Sequence, residues 1–543
     1  MSKRSSFGII VLFVALVGLC LGVTGFSQAT PQKGGTIIEA IGTEPTNLNP
    51  FKGARRPEMT ILHLIFEPLF VITPKMEIEP LLVESWKASE DQLTWTFILK
   101  KGIKFHDGTP LNAEAVKLSL ENHKNGSQGR MLKVIDEIEV VDVNTVVLKL
   151  KEPLPILLSV LSDYAVGMVS PTAFKDSASE WGSKVIVGTG PLKFKKWLSG
   201  DRVILERNAD YKHGPSFLAN KGPAYVDEWI IRFIPEPATL IAELTDGNVD
   251  LTDYVSERDV SRVKKNPNTD VFMARSTSAI YLAINCSSEN KPFDDVRIRR
   301  AMAHAVNADI VLKAAMSGIG GPLYTSVSPT VMGFWKGSED IGKTNAKYDL
   351  ELAKKLLDEA GWKVGSDGVR MKDGKPLEVV FLAFTIARYK RMAEVATPML
   401  EEAGFKVDLK IIEAGDLYER VLKGKHDLLS TGAVASKGIA IYDLVRSLHS
   451  GSLGEILQWC LYSNPEMDKL LDKARYDADP KVREQALKDA QNMAAEEVVV
   501  IPITNAMEIF GYKKTLGGVD NYIKHPWAFD QADVYRALEI YKQ

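Results

Sequence analysis

The stretch LTWTFILKKGIKFHDGTPL, Leu93–Leu111, has the alternating pattern of a half-buried β-strand in its first half. Its large apolar residues, separated by polar or smaller ones, are Leu93, Trp95, Phe97 and Leu99. Asp107-Gly108 indicates a tight turn, because glycine accepts a positive φ. The stretch therefore predicts a β-hairpin, and Asn112 just after it is typical of a helix start.

On both sides of this stretch, segments with a strand pattern alternate with segments with a helix pattern. Strands are predicted at 34–42, 226–235, 279–285 and 376–384, and helices at 293–307 and 348–362. Asp294 or Asp295 can cap the first of these helices and Asp349 the second. No internal repeat or low-complexity tract is found, so the sequence predicts a mixed α/β protein.

The first 29 residues have the three-part organisation of a secretory signal peptide. Lys3 and Arg4 precede an apolar run of 17 residues, Phe7–Val23, and the small-x-small triplet Ser27–Ala29 follows it. We expect cleavage after residue 29 and export to the periplasm or the exterior. Cys20 follows Leu19 rather than a small residue, so a lipid anchor at Cys20 is not expected.

The charge balance excludes one class of partner. The chain of 543 residues has a net charge of −3, and without Lys3 and Arg4 the balance is 65 basic against 70 acidic residues, or −5. This balance gives no indication of nucleic-acid binding. Zinc-protease motifs, zinc-spaced cysteine pairs and nucleophile elbows are absent from the sequence, so binding is favoured over catalysis. A secreted hydrolase is the rival class.

The stretch GSEDIGKT, Gly337–Thr344, matches the phosphate-binding loop pattern at every required position. A working loop of this kind follows a buried strand and opens a helix. Here a segment with proline and glycine precedes the match, and the next helix is predicted only near Asp349. Glu339 and Asp340 would also repel phosphate. We interpret the match as fortuitous.

Two cysteines follow the signal peptide, Cys286 and Cys460. In an oxidising compartment they could form a disulfide, and the alternative is two separate buried thiols.

Several sequence blocks, taken in order, resemble the family 5 extracellular solute-binding proteins, the peptide and nickel receptors of ABC importers. They are IFEPLF, LLVESWKASEDQLTWTFILKKGIKFHDGTPLNAEAVKLSLE, GTGPLKFKKWLSGDRVILERNADY, IRFIPEPATLIAELTDGNVDL, YLAINCSSENKPFDDVRIRRAMAHAVN, YDLELAKKLLDEAGW and YSNPEMDKLLDKA. The resemblance covers essentially all of the chain after the signal peptide.

The resemblance implies a two-lobed periplasmic-binding-protein fold of α/β class, type II and similar to cluster C, with an extra domain inserted in the first lobe. The expected domains are a signal peptide at 1–29, a discontinuous first lobe at 30–75, 187–282 and 505–543, an inserted domain at 76–186, and a second lobe at 283–504. Two crossing strands would join the lobes, and the ligand would be enclosed by a hinge motion.

The function implied is an exported receptor that captures a peptide-like solute and delivers it to a membrane permease. The ATPase would be a separate subunit, and the receptor would be a monomer, without cofactor or enzymatic activity. A nickel chelate and an oligosaccharide remain alternative ligands.

The resemblance also implies candidate ligand-binding residues. Many peptide-binding members have a Trp followed by an Asp in the second lobe, and the corresponding stretch 430–451 lacks both, with Ser436 and Lys437 near the expected acid. Asp443 is a possible substitute. For a nickel chelate, Met59, Arg130 and His449 lie near family positions, and His449 would be the one direct metal ligand. Arg130 and Arg388 are the candidate partners of an anionic solute.

Overall fold

The computed structural model describes residues 31–52, 55–126, 129–177, 179–289, 292–434, 438–455, 458–520 and 533–543, without the side chains of 130, 131, 433, 434, 533 and 534. The predicted signal peptide, 1–29, lies outside this range. Within the described residues no helix has both the length and the apolar character to cross a membrane.

The structure alternates strands and helices, as the sequence patterns predict. The strands are β1 Thr36–Ile41, β2 Phe70–Ile72, β3 Ile78–Pro80, β4 Val83–Ala88, β5 Thr94–Leu99, β6 Ile135–Val140, β7 Thr145–Leu150, β8 Leu192–Leu198, β9 Arg202–Arg207, β10 Glu228–Phe233, β11 Leu251–Thr252, β12 Thr269–Ile284, β13 Lys363–Val364, β14 Arg370–Lys372, β15 Lys375–Pro376, β16 Glu378–Phe384, β17 Lys406–Ile412, β18 Leu428–Val434, β19 Val500–Lys513, β20 Leu516–Gly517 and β21 Tyr541–Lys542.

The helices are α1 Arg56–Ile65, α2 Ala113–Lys124, α3 Leu157–Val160, α4 Pro171–Asp176, α5 Pro237–Thr245, α6 Val260–Lys265, α7 Val296–Ala305, α8 Ala308–Met316, α9 Lys336–Asn345, α10 Leu350–Glu359, α11 Ala387–Glu402, α12 Ala414–Leu422, α13 Ala440–Leu448, α14 Pro465–Tyr476, α15 Pro480–Glu496 and α16 Asp533–Glu539. Asn112, Asp295 and Asp349 cap α2, α7 and α10 with their side chains, which confirms three predicted helix starts.

One ten-stranded sheet runs through the molecule in the order β17-β16-β18-β12-β19-β11-β1-β10-β9-β8. We call the part built on β1 and β8–β11 the first lobe and the part built on β16–β18 the second lobe. Strands β12 and β19 are long enough to pair with each other through both lobes. The two-lobed α/β fold expected from the resemblance is therefore present, while the domain boundaries stay a prediction.

The long strand β12 shows how the second lobe buries both faces of its sheet. Ile280, Leu282 and Ile284 pack into one apolar core, and Ala279, Tyr281 and Ala283 pack into the other, on the opposite face. This division follows from the two-residue period of a strand. Because both faces of the sheet are covered, a ligand can reach it only at the ends of its strands.

The predicted hairpin at 93–111 is wrong in its pairing. Strand β5 pairs with β4 and β7 in a separate sheet of order β4-β5-β7-β6, and not with residues 103–111. The tight turn at Asp107-Gly108 does form, closed by the Phe105 amide donating to the Thr109 carbonyl at 2.8 Å. The turn that connects β4 with β5 passes through the polar residues 89–92, with Gln92 at φ 56°. This turn contains no glycine, which is the residue by which sequence patterns recognise tight turns.

The GSEDIGKT stretch is helical, because it lies within α9. The prediction that the next helix starts only near Asp349 is therefore wrong. Lys343 pairs with Glu339 at 2.9 Å, and its ammonium lies 4.9 Å from the centre of the Tyr324 ring. The backbone N–H groups of Gly342, Lys343 and Thr344 lie beyond the first turn of α9, where such groups are bonded within the helix and cannot wrap a phosphate. The structure thus supports the interpretation of a fortuitous match.

Cys286 and Cys460 are both free thiols in the structure. Their backbones are neighbours, with the Cys286 amide donating to the Cys460 carbonyl at 2.7 Å. Burial raises the pKa of Cys286 to about 11, so this thiol stays protonated and unreactive near neutral pH.

Candidate functional site

A group of charged side chains lies at the carboxyl end of β1 and β11 in the first lobe. Arg56, the first residue of α1, donates to the carbonyl and to the carboxylate of Asp253, both at 3.1 Å. Its guanidinium carbon lies 5.1 Å from the centre of the Tyr254 ring. Asp253 and Tyr254 follow β11 directly, and β11 is parallel to β1. Ligands of open α/β sheets commonly bind at this strand end.

Glu508, on the crossing strand β19, connects this group to the second lobe. A guanidinium nitrogen of Arg56 lies 3.7 Å from the Glu508 carboxylate. Burial raises the pKa of Glu508, while the positive charge of Arg56 and, to a smaller extent, that of Arg388 act in the opposite direction. Arg388 belongs to the first turn of α11 in the second lobe. Glu508 is therefore in contact with Arg56 of the first lobe and lies within the weaker electrostatic reach of Arg388 of the second lobe.

Arg388 is the predicted site residue whose charge is most available. It is half-buried, and no ion pair or hydrogen bond joins its side chain to another side chain in the part of the chain that the structure describes. Arg391, one turn later in α11, contacts Glu394 at 3.3 Å instead. A cation at a lobe interface without a bonded carboxylate can receive an anionic group from a ligand.

Met59 lies three residues after Arg56 in α1, so the two side chains are on neighbouring positions of one helix face. Met59 is half-buried and packs against the apolar core of the first lobe. The structure thus places Met59 beside the Arg56 group, and its role as a ligand contact stays a prediction.

Asp443 is inside the second lobe, on α13. Its carboxylate lies 3.6 Å from Arg446 and close to the buried Tyr281. Burial raises the pKa of Asp443 to about 7, and Arg446 opposes the shift. Since the side chain is only 9% exposed, it can meet a peptide ammonium only after a rearrangement of α13.

His449 follows α13, and groups of its own lobe surround its ring. Nδ1 accepts a hydrogen bond from the Gly451 amide at 2.9 Å, and Nε2 lies 3.3 Å from an Asp472 carboxylate oxygen. These contacts give the ring a role in joining α13 to α14. Its predicted contact with a metal chelate would require giving up the Asp472 contact. The side chains of Arg130, Ser436 and Lys437 lie outside the described residues.

The two lobes are joined at an interruption of the β12–β19 ladder. The register shifts between Arg275 and Ala279, and Asn505 of β19 fills the gap. The Asn505 amide nitrogen donates to the carbonyls of Ser276 and Ser278, at 2.7 and 3.0 Å, and to the Ser328 hydroxyl at 2.8 Å. Backbone that leaves the ladder can change its dihedral angles at low cost, so this position fits a hinge.

Two further contacts cross between the lobes away from the hinge. Ile156, which follows β7, packs against the apolar cores of both lobes. Burial raises the pKa of Tyr476 on α14, Arg475 lowers it, and the nearby carboxylate of Glu152 raises it. Glu152 and Ile156 of the predicted inserted domain therefore lie against the second lobe.

Sequence reasoning named Arg388 and Met59 as candidates, which they remain, and did not name Arg56, Asp253 or Glu508. Two weak signals were present. Arg56 precedes Pro57, a typical first-turn residue of a helix, and Asp253 and Tyr254 follow a short strand directly. Glu508 gave no signal, because its position depends on pairing between β12 and β19, which are distant in the sequence.

No group of three or more metal-ligating side chains occurs among the described residues. A resident metal ion therefore has no candidate site in this part of the chain.

Residues 77–454 match the family model of the bacterial extracellular solute-binding proteins, family 5. The glutathione-binding protein GsiB of Salmonella choleraesuis is 25% identical over 532 residues, which cover 96% of this chain and 98% of that protein. The protein from Shigella flexneri with the same name is 26% identical, over 92% and 94% of the two chains.

Solved structures show the same architecture. NikA from Brucella suis, in complex with Fe(III)-EDTA, is 25% identical, with a TM-score of 0.78 over 89% of this chain and 96% of that one. The oligopeptide-binding protein AppA from Bacillus subtilis, in complex with a nonapeptide, is 24% identical, with a TM-score of 0.73 over 95% of this chain and 100% of that one. With the two lobes, the hinge and the strand-end charge group in place, the chain belongs to the bacterial extracellular solute-binding proteins, family 5.

Proposed function

We propose that this protein is the exported receptor of an ABC importer that captures a peptide-like solute between its lobes. The solute would be handed to a membrane permease, and ATP hydrolysis would occur on a separate subunit. The receptor would act as a monomer, without catalysing a reaction. The observation that carries the proposal is that Glu508, which Arg56 of the first lobe contacts at 3.7 Å, also lies within electrostatic reach of Arg388 of the second lobe.

The two arginines differ in how far their charge is already neutralised, and this difference suits a solute that bears a carboxylate. Arg56 is held by Asp253 and Glu508, whereas Arg388 has no bonded carboxylate among the described residues. A solute carboxylate can form charge-assisted hydrogen bonds with Arg388, in a bidentate arrangement where the geometry allows. Because these bonds form only when the second lobe is near, they favour the closed conformation.

The relatives support a peptide-like solute. The curated relatives named above are glutathione-binding proteins, and glutathione is a short peptide with free carboxylates. DppA from Helicobacter pylori, 24% identical with a TM-score of 0.72 over 94% of this chain and 98% of that one, was solved with the peptide STSA.

An anionic metal chelate is the second candidate, favoured by Met59 beside Arg56. A thioether beside the Arg56 guanidinium suits a chelate whose carboxylates pair with arginines. The likeness to NikA, solved with Fe(III)-EDTA, agrees with this alternative.

Native mass spectrometry of the protein, purified without refolding, distinguishes the candidates. A mass increment that releases a peptide on denaturation supports the first candidate. A nickel or iron isotope pattern with a small polycarboxylate supports the second. A bound neutral sugar would contradict both.

A further inference from the structure

A groove on the first lobe lies outside the charge group described above. It has a volume of about 510 Å³ and is lined by Glu44, Thr46, Asn47, Trp181 and Trp197, with serines at its rim. We call it the Trp197 groove. Its volume is in the usual range of small-molecule sites.

The Trp197 groove opens at the same sheet edge as the Arg56 group. Strands β1 and β8 end at Ile41 and Leu198 and point in the same direction, because β8 and β10 are both antiparallel to β9 and β10 is parallel to β1. Residues 44–47 of the groove follow the end of β1, as Asp253 follows β11, and Trp197 lies at the end of β8. Three strand spacings, about 14 Å, separate β1 from β8. An extended tripeptide of about 11 Å, together with the long side chain of the arginine that receives its carboxylate, covers such a distance.

Glu44 gives the groove its charge. It is the one charged residue among those lining the groove, and no ion pair joins it to a described residue. Its carboxylate accepts hydrogen bonds from the Trp197 indole at 2.9 Å and from the Gly200 amide at 3.0 Å, which fix its orientation. A carboxylate can accept further bonds beyond these. Arg55, at the start of α1, is bonded to Glu58 at 2.5 Å.

A carboxylate beside two indole rings is an environment for a cation. The ring faces of Trp attract positive charge, and the carboxylate adds a charge-assisted hydrogen bond. We propose that the Trp197 groove binds an ammonium group of the solute, supplied by its amino terminus or by a basic side chain. The inference rests on the proposed function, because the ammonium belongs to the solute whose carboxylate Arg388 receives. Glu44 would then supply, from the first lobe, the carboxylate that pairs with the ammonium of the solute. Ser436 and Lys437, near the position of the family Asp, cannot supply it.

The test is titration calorimetry with tripeptides that differ only in charge. The probes are Lys-Ala-Ala, its Nα-acetyl form, norleucyl-Ala-Ala and Nα-acetyl-norleucyl-Ala-Ala. All four keep the terminal carboxylate, so charged and uncharged refer to their ammonium groups alone. The wild-type protein is expected to bind Lys-Ala-Ala about 10- to 100-fold more tightly than the uncharged fourth peptide, the range of one charge-assisted hydrogen bond. The two middle peptides show whether the α-ammonium or the side-chain ammonium is bound.

Glu44→Gln keeps an oxygen acceptor for Trp197 and Gly200 and removes the charge. It is expected to reduce the preference for Lys-Ala-Ala to about twofold or less, with unchanged affinity for the uncharged peptide. Trp197→Leu keeps the carboxylate and should lower the preference by about 2- to 5-fold, as expected for a lost cation–π contact. Glu228→Gln is the matched control, since Glu228 lies at the opposite end of β10 and pairs with Lys195.

Three results would overturn the inference. If charged and uncharged peptides bind equally, the groove has no cation preference, while the proposed function stands. If the preference persists in Glu44→Gln, the ammonium is bound elsewhere. If none of the four peptides binds, the proposed peptide receptor fails together with the inference.

Discussion

At the scale of single residues, burial and pairing separate the charged side chains of the second lobe into two kinds. Arg388 is half-buried, lies within electrostatic reach of Glu508 and keeps its charge available to a solute. Asp443 is buried with Arg446, and its pKa is raised to about 7. Both were ligand candidates from the sequence. The sequence gives only the type of each residue and its neighbours along the chain. The difference between them is set by packing from other elements, which single-sequence patterns do not reveal.

The raised pKa of Asp443 predicts a specific pH dependence of stability. Because its pKa is about 7 in the folded state and 3.8 as the reference value, the folded protein binds this proton more tightly. The contribution of Asp443 to stability is therefore complete below about pH 4 and falls as the pH rises through 7. Relative to wild type, Asp443→Asn should gain stability over this range, by up to about 4 kcal/mol.

Urea unfolding of both proteins at pH 4, 5.5, 7 and 8 measures the difference in their free energies of unfolding. A loss of packing in the variant shifts this difference equally at every pH, so the test uses only its change with pH. A difference between variant and wild type that is constant from pH 4 to 8 would show that Asp443 titrates normally.

At the scale of elements, the sequence located most strands and helices but not all of their partners. The alternation of Trp95 and Phe97 correctly gave strand β5, and side-chain caps correctly gave the starts of α2, α7 and α10. The pairing of β5 with β7 joins residues about fifty positions apart, and no local pattern encodes it. The same limit applies to the β12–β19 ladder and hence to Glu508 and Asn505.

Asn505 is expected to be the most sensitive polar residue of the hinge. Asn505→Ala leaves the carbonyls of Ser276 and Ser278 and the Ser328 hydroxyl without their donor in a buried position. We expect a loss of about 2–4 kcal/mol in the free energy of unfolding. Asn125→Ala is the control, because the Asn125 side chain is exposed and bonds only within its own helix end. Chemical denaturation measures both, and equal losses would contradict a structural role of the hinge network.

In helix α9, by contrast, we expect a substitution in the GSEDIGKT stretch to have little effect. Lys343 is on the surface and its ion pair with Glu339 is exposed, so Lys343→Ala should cost less than about 1 kcal/mol of stability. Solute binding should stay within about twofold, since α9 does not carry a residue of the charge group. Tight, Mg²⁺-dependent ATP binding that this substitution abolishes would restore the nucleotide interpretation.

At the scale of the whole molecule, the two lobes share one sheet and also touch through contacts outside it. The hinge lies where the β12–β19 ladder is interrupted, and the contacts beyond it include Ile156 and the Glu152–Tyr476 pair. A solute bonded to both lobes adds contacts that exist only in the closed form, which shifts the population toward it. The family resemblance predicted this architecture from ordered sequence blocks, whereas the contacts that cross between lobes required the three-dimensional structure.

Small-angle X-ray scattering should therefore show a smaller radius of gyration when the solute is present at saturation. Glu152→Ala with Tyr476→Phe removes one cross-lobe contact and should increase the radius of gyration of the solute-free protein, with little change in the saturated form. Identical scattering curves for free and saturated wild-type protein would argue against closure around a solute.

The central claim is that Arg388 receives a carboxylate of a peptide-like solute, and a single calorimetric comparison tests it most directly. A short peptide that the wild-type protein binds is titrated with a free carboxyl terminus and with an amidated one, into wild type, Arg388→Ala and the control Arg391→Ala. We predict that amidation weakens binding by about tenfold or more in wild type and in Arg391→Ala, and by about twofold or less in Arg388→Ala. An amidation effect of equal size in all three proteins would contradict the claim.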